Sequence, residues 1–310
     1  MLSYEEFKDT IKEHILSYMP DSYAGFTVSI QSVLKVNEMQ DVLELSPGTE
    51  ENPYDLVMPR AQLDAFYEEY KESGNLESVI LKMANMLSKT YDGILGTVKD
   101  YFFETAKNRL VLELINRDWN KELLESVPYH PFLDLAVICR IVVGVMDAGF
   151  TSVIVNKEIL ERMGLTENEL FEAARRSIPT MCSPVLKPLA TVVREITGKD
   201  MPEAEKIPLM YVLTTQPEIF GASAVLNEAM LHDLAEKLKD DLYLLPASIR
   251  EMIVLPASDI DSEPLAALVK NINEKEQPKK NWLSHNVYKY LRKERTITIA
   301  GTDWDEREKE

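Results

Sequence analysis

"DLYLLPASIREMIVLPAS", running from Asp241 to Ser258, holds the residues Leu-Pro-Ala-Ser twice, ten positions apart. "LYLLP" and "MIVLP" are short apolar runs of strand type, and each closes on a proline, which has no N–H for a sheet ladder and sits at strand ends or edges. Each repeat of the four residues therefore reads as a strand exit. Between them Ser248 and Glu251 stand in Ser-x-x-Glu spacing, which predicts a helical turn or tight bend over "SIRE". The chain goes out, turns and comes back, so the region is a buried strand pair. The polar residues it leaves at one sheet edge, Ser248, Arg250, Glu251 and Ser258, are the candidate ligand- or partner-binding group. Ser248 is not expected to be a nucleophile, because Pro-Ala-Ser-Ile-Arg lacks the glycines of a Gly-x-Ser-x-Gly elbow.

Upstream, Ser3 and Glu6 form a capping box that opens a helix to about Tyr18. "FTVSIQSVLKV" and "QDVLELS" alternate and carry β-branched residues, with "VNEM" between them, which predicts an antiparallel hairpin; "PYDLVMP" adds a short third strand. "RAQLDAFYEEYKES" sets Leu63, Phe66, Tyr67 and Tyr70 at helical spacing, and Gly74-Asn75 stops it before a second helix, "LESVILKMANMLSKTY". "NRLVLELIN" and "FLDLAVICRIVV" are expected to be buried strands, with "WNKELLESVPYHP" between them a turn of helix ending at a proline break. "TSVIV" is a strand. "NKEILERMGL" and "TENELFEAARRS" are helices, the second opened by a capping box at Thr166 and Glu169, and "SPVLKPLATVVREITG" is a further helix ending at Gly198.

The polar, proline-bounded "MPEAEKIP" is expected to be a linker. Beyond it come a strand, "LMYVLTT", and a helical stretch, "IFGASAVLNEAMLHDLAEKLKD", interrupted near Leu226 and Asn227. "DSEPLAALVKNINE" and "SHNVYKYLRK" are expected as helices, "TITIA" as a last strand and "GTDWDEREKE" as a polar tail. The fold class is α+β, with mixed sheets flanked by helices. A small α+β lobe over residues 1–95 precedes a larger α/β-like domain over 96–303 and a tail over 304–310.

A chain of 310 residues with 45% hydrophobic and 28% charged residues has the composition of a globular protein and needs no cross-links to hold a core. The longest apolar run, "FLDLAVICRIVVGVM", is broken by Asp134 and Arg140, and the acidic start "MLSYEEFKDTIKEHILSYM" lacks the features of a signal peptide, so a cytoplasmic location is expected. Lys plus Arg number 34 against 52 acids, a formal charge of −18, which disfavours broad attraction to nucleic acid. "KYLRKER", Lys289 to Arg295, with Lys279 and Lys280 upstream, is the best candidate for a local basic patch, and reads as a solvated face.

Chemistry-bearing patterns are scarce. Cys139 and Cys182 have no histidine near them in sequence and read as buried thiols. His14, His130, His232 and His285 fall in no HExxH or HxH arrangement, so no metal centre is expected. "GILGTVK" has neither phosphate-loop nor dinucleotide spacing, and no cofactor is expected. "DIDSE", Asp259 to Glu263, reads as a helix start with Pro264 in its first turn.

The run "PLMYVLTTQPEIFGASAVLNEAMLHDLAEKLKDDLYLLPASIREMIVLPAS", with "ELFEAARRS" and "LSHNVYKYLRKE", resembles an uncharacterised bacterial domain-of-unknown-function family. Its members carry a strand ending in Val-Leu-Thr, a Gly-Ala helix, and Leu-Pro-Ser-Ser-Ile-His-Glu where this chain has Leu245 to Glu251. The resemblance implies a protein from anaerobic gut bacteria and their mobile elements. It brings no activity, cofactor or catalytic set, and Arg250 stands where relatives tend to have histidine. The expected function is a non-catalytic accessory or interaction protein with a protein or small-molecule partner. The alternatives are a hydrolase assembled from Asp134, Glu251, His232 and His285, and an acidic mimic of nucleic acid.

Overall fold

The structure, a computed structural model, describes residues 1–47, 60–96, 102–146, 149–199, 209–216, 218–258 and 260–301. By packing the chain divides into two units, Met1–Ala106 with Val142–Val153, and Lys107–Ile141 with Ile154–Glu310.

In the first unit, helix α1 (Tyr4–His14) starts where the sequence places it. The Glu6 N–H donates to Ser3 Oγ at 3.3 Å, and the Ser3 N–H donates to the Glu6 carboxylate at 2.7 Å. A 3-10 turn, Ile15–Tyr18, extends it. Strands β1 (Thr27–Leu34) and β2 (Met39–Ser46) form the expected hairpin, in register from Thr27↔Ser46 to Leu34↔Met39. The segment "RAQ" is a short strand, β3 (Arg60–Gln62), on the edge of β2 rather than the first turn of a helix. The suspected strand "PYDLVMP" lies outside the described residues. Helix α2 (Leu63–Ser73) ends on Gly74, whose φ of 66° is the left-handed cap that glycine adopts without penalty. Helices α3 (Leu76–Gly96) and α4 (Phe102–Ala106) complete the run. Phe7, Ile11, Leu43, Leu45, Leu63 and Met83 are fully buried and form the unit's core.

The second unit opens with β4 (Leu110–Asn116), α5 (Lys121–Ser126), β5 (Tyr129–Phe132) and β6 (Leu135–Met146). β6 lies between β4 and β5 and beyond residue 141 continues in the first unit, where it pairs with β7 (Gly149–Ile154). The "YHP" of β5 falls in the stretch expected as a helical turn leading to a proline break. It is an edge strand instead, the one place in a sheet where Pro131 costs no ladder bond. Helix α6 (Lys157–Arg162) follows, and α7 (Glu167–Met181) begins at the Thr166–Glu169 capping box.

The segment expected as one helix, residues 183–198, splits into strand β8 (Ser183–Pro188) and helix α8 (Leu189–Thr197). A proline at 188 inside a helix would clash with the preceding turn. Just before the first turn it is tolerated, and β8 is an edge strand that accepts Pro184 and Pro188. The remaining elements are β9 (Tyr211–Gln216), a 3-10 helix (Gly221–Leu226), α9 (Glu228–Leu238), β10 (Leu242–Ser248), β11 (Glu251–Pro256), α10 (Ser262–Glu276), β12 (Val287–Leu291) and β13 (Thr296–Gly301). Asn227 breaks the 221–238 stretch at the expected place by capping α9 with its side chain. The helix expected over 284–293 is absent, and β12 stands there. Val287, Tyr288 and Tyr290 favour a pleated surface, and burial of the strand on both faces hides its alternation.

Six strands, in the order β13-β12-β10-β11-β9-β8, make one antiparallel sheet. The doubled Leu-Pro-Ala-Ser stretch is its centre. Leu242 pairs with Pro256, and the strands converge to Ser248↔Glu251. Two expectations change. The first strand does not stop at Pro246 but runs to Ser248 through a bulge, because pairing with β12 ends at Leu244 and leaves Pro246 a ladder partner on one side only. And β10 and β11 are interior strands, so the hairpin does not form a hydrogen-bonding edge of the sheet. On one face of this sheet, Tyr243, Leu245, Leu255 and Val287 pack against Ala266 and Val269 of α10.

Candidate functional site

The predicted residues Ser248, Arg250 and Glu251 come together at the tip of the central hairpin, whereas Ser258 follows β11 at its other end. Ser248 is 5% exposed, and its Oγ accepts the Arg250 N–H at 3.0 Å. This is a serine turn over Ile249 and Arg250, not the helical capping box that the same spacing forms at Ser3 and Thr166. The Ile249 N–H donates to the Asn281 carbonyl, and the Arg250 carbonyl accepts from Thr214 Oγ1 at 2.8 Å. Ser248 is thus a turn-forming residue. Arg250 is exposed, and Ser258 is exposed with its N–H on Asp240.

Against this tip packs the connection from β9 into the 3-10 helix. Glu218 and Phe220 hold φ of 69° and 54°, a region rare for bulky residues. Gly221 lies so close to the tip that a Cβ there would stand 1.9 Å from the Arg250 carbonyl oxygen and 2.1 Å from Thr214 Oγ1. The connection brings the Glu218 carboxylate towards Glu251, whose pKa is raised, first by burial and then by Glu218, with Arg250 opposing. It also sets the Phe220 ring 5.0 Å from the Arg140 guanidinium, which pairs with Glu113 at 2.9 Å. Glu113 is 2% exposed, and burial pushes its carboxyl up against the pull of Arg140.

Asp134, in the two-residue turn between β5 and β6, accepts from Ser284 Oγ (2.7 Å), Asn286 Nδ2 (2.9 Å) and Tyr288 Oη (2.8 Å). With its oxygens so engaged it ties the turn to the start of β12. His285, between two of those donors, lies 5.1 Å from the Trp119 ring and 5.4 Å from Trp282. No hydrogen bond joins any two of Asp134, Glu251, His232 and His285 among the described residues, and neither cleft described below is lined by any of them. Among the described residues no three metal-ligating side chains come together, and no helix is long and apolar enough to cross a membrane. Three basic residues of "KYLRKER" are tied to acids: Lys289 to Asp241, Arg292 to Glu236 and Arg295 to Glu228.

A cleft of about 590 Å³ lies in the second unit, bounded by β5, α7, the ends of β8 and β9, and the corner between the 3-10 helix and α9. Its walls are largely apolar, with Leu112, Phe132, Val137, Ile178, Cys182 and Leu226 among them. Burial raises the Cys182 thiol to about 11, so it is an apolar wall and not a nucleophile. Its polar groups are His130, Arg175, Thr215, Ser223, Asn227 and Glu228. The His130 ring stacks on Phe171 with centroids 3.8 Å apart, and burial, then the Arg175 charge, lower its pKa, which keeps it neutral at pH 7. Thr215 Oγ1 donates to the Ile219 carbonyl, and Glu228 is held by Arg295 at 2.6 Å.

Sequence reasoning assigned no role to this cleft. Its residues come from seven stretches between Leu112 and Glu228 and share no motif. A second depression of about 530 Å³, over Tyr211, Met230 and Asp233, gathers no comparable polar set.

A family model, described as a family of unknown function (DUF5688), matches residues 4–292. The chain belongs to that family. Neither curated proteins nor solved structures give a match.

Proposed function

We propose that this DUF5688 protein is a non-catalytic accessory protein of the bacterial cytoplasm, carried on mobile elements, that captures a small-molecule partner in the cleft between α7 and the 3-10 helix. The cleft itself carries the reading. Its 590 Å³ falls in the range of small-molecule sites, and apolar walls with a few polar groups are how such sites combine affinity with orientation. The hairpin tip is the weaker candidate, because Ser248 and the Arg250 carbonyl are consumed in holding it together. A non-catalytic role is supported by the raised Cys182 thiol, by the Thr215 hydroxyl held on the Ile219 carbonyl, and by the Ser223 hydroxyl, which has no base hydrogen-bonded to it among the described residues.

The test is a thermal-shift screen of the full chain against a metabolite library, repeated on Ile178→Arg, which places a long charged side chain on the cleft wall. Compounds that raise the melting temperature of the parent and not of the variant support the reading. Hits that stabilise both proteins equally bind elsewhere and overturn it.

A further inference from the structure

Each unpaired polar group of the cleft can donate a hydrogen bond, and two of them, Arg175 and the Asn227 amide nitrogen, can only donate. Arg175 forms no ion pair or hydrogen bond among the described residues, although the neighbouring Arg176 pairs with Glu172. Ser223 Oγ has no partner there either. Asn227 spends its Oδ1 on the Met230 N–H at 3.0 Å, which leaves the Nδ2 amide hydrogens unclaimed. His130, neutral and stacked, keeps one ring N–H and makes no hydrogen bond of its own among the described residues. The one carboxylate in the lining, Glu228, is already held by Arg295 and by Tyr290 Oη at 3.4 Å.

Resting on the reading of the cleft as a small-molecule site, we infer that its ligand is an amphipathic monocarboxylate, an apolar body ending in a single carboxylate. The head is an acceptor-only group that takes the planar fork of Arg175 and the hydroxyl and amide donors of Ser223 and Asn227. The body lies along Leu112, Val137, Ile178 and Leu226. An amine is disfavoured by the Arg175 charge and by the surplus of donors over free acceptors. A doubly charged phosphate fits less well than a carboxylate, since one unpaired guanidinium must serve it in a lining that also holds Glu228, with Glu167 acting on His130. The charge of −18 makes the chain a poor general binder of anions, so capture of one points to a specific site.

Decanoate, decanol and decylamine share one body and differ in the head, and isothermal titration of each into the full chain reads the preference. Decanoate is expected to bind at least about tenfold more tightly than decanol, and decylamine to be the weakest. Arg175→Gln should weaken decanoate by about 10- to 100-fold and leave decanol unchanged. Arg175→Lys should restore part of the loss, and Asn227→Asp, which keeps the helix cap but replaces the amide with a second charge, should weaken decanoate alone. Equal affinities for decanoate and decanol, or a decanoate affinity untouched by Arg175→Gln, overturn the carboxylate inference. If Ile178→Arg still abolishes binding in that case, the cleft reading survives. If no probe binds the parent, or Ile178→Arg changes nothing, both fall.

Discussion

At the scale of single residues, the central hairpin depends on an absence. Gly221 is required because the Arg250 carbonyl and the Thr214 hydroxyl, bonded to each other at 2.8 Å, occupy the space a methyl group would need. Neither neighbour is the loose end of a flexible side chain, so Gly221→Ala must displace the turn of the central strands. We expect a loss of about 3 kcal/mol or more, seen as a lower urea midpoint at unchanged slope.

Glu251 offers a subtler test. Its folded pKa is raised, so between the ordinary carboxylate value and the folded one the native state holds a proton that the unfolded chain has released. Stability therefore falls as pH rises through that window. Glu251→Gln is neutral at every pH. It is expected to stabilise the protein by less than about 1 kcal/mol at pH 7, since the group is partly solvated, and to make no difference near pH 4. Thermal melts across that range check the sign, and Glu218→Gln should lower the Glu251 titration midpoint followed by NMR.

At the scale of elements, what was legible in the sequence was what is decided locally. Ser3–Glu6 and Thr166–Glu169 start helices because each pair closes its own hydrogen bonds within one turn. Thr166→Ala should cost about 1 kcal/mol, or about 2–4 °C in melting temperature by calorimetry, with Lys157→Ala at an exposed position of α6 as a milder control. The same spacing at Ser248–Glu251 gives a hairpin tip, because the flanking segments are already committed to strands and the serine turns inward to the Arg250 N–H. Strands β5, β8 and β12 were not legible for a related reason. Their identity comes from partners elsewhere in the chain, β12 pairing with β10 across more than forty residues, and prolines in β5 and β8 that look like breaks are harmless at a sheet edge.

At the scale of the whole molecule, the cleft is the extreme case. His130, Arg175, Ser223 and Asn227 converge only once two sheets and two helices are in place, so no local pattern announces them. The same interleaving bears on how the chain unfolds. Strand β6 is hydrogen-bonded to β4 and β5 through residues 135–141 of the second unit, and the segment 142–153 that follows packs with the first. The second unit is therefore left and re-entered within a single strand pair, and the first is completed by residues that the second supplies in sequence.

Such a chain should unfold as one cooperative system rather than as two independent domains. The residues of the first unit contain no tryptophan, whereas Trp119 and Trp282 lie in the second, so tryptophan fluorescence follows one unit and far-ultraviolet circular dichroism follows both. Urea curves from the two probes are expected to superimpose. A fluorescence transition with a separate midpoint would mean that the shared strand does not couple the units, and that each is stable without the other.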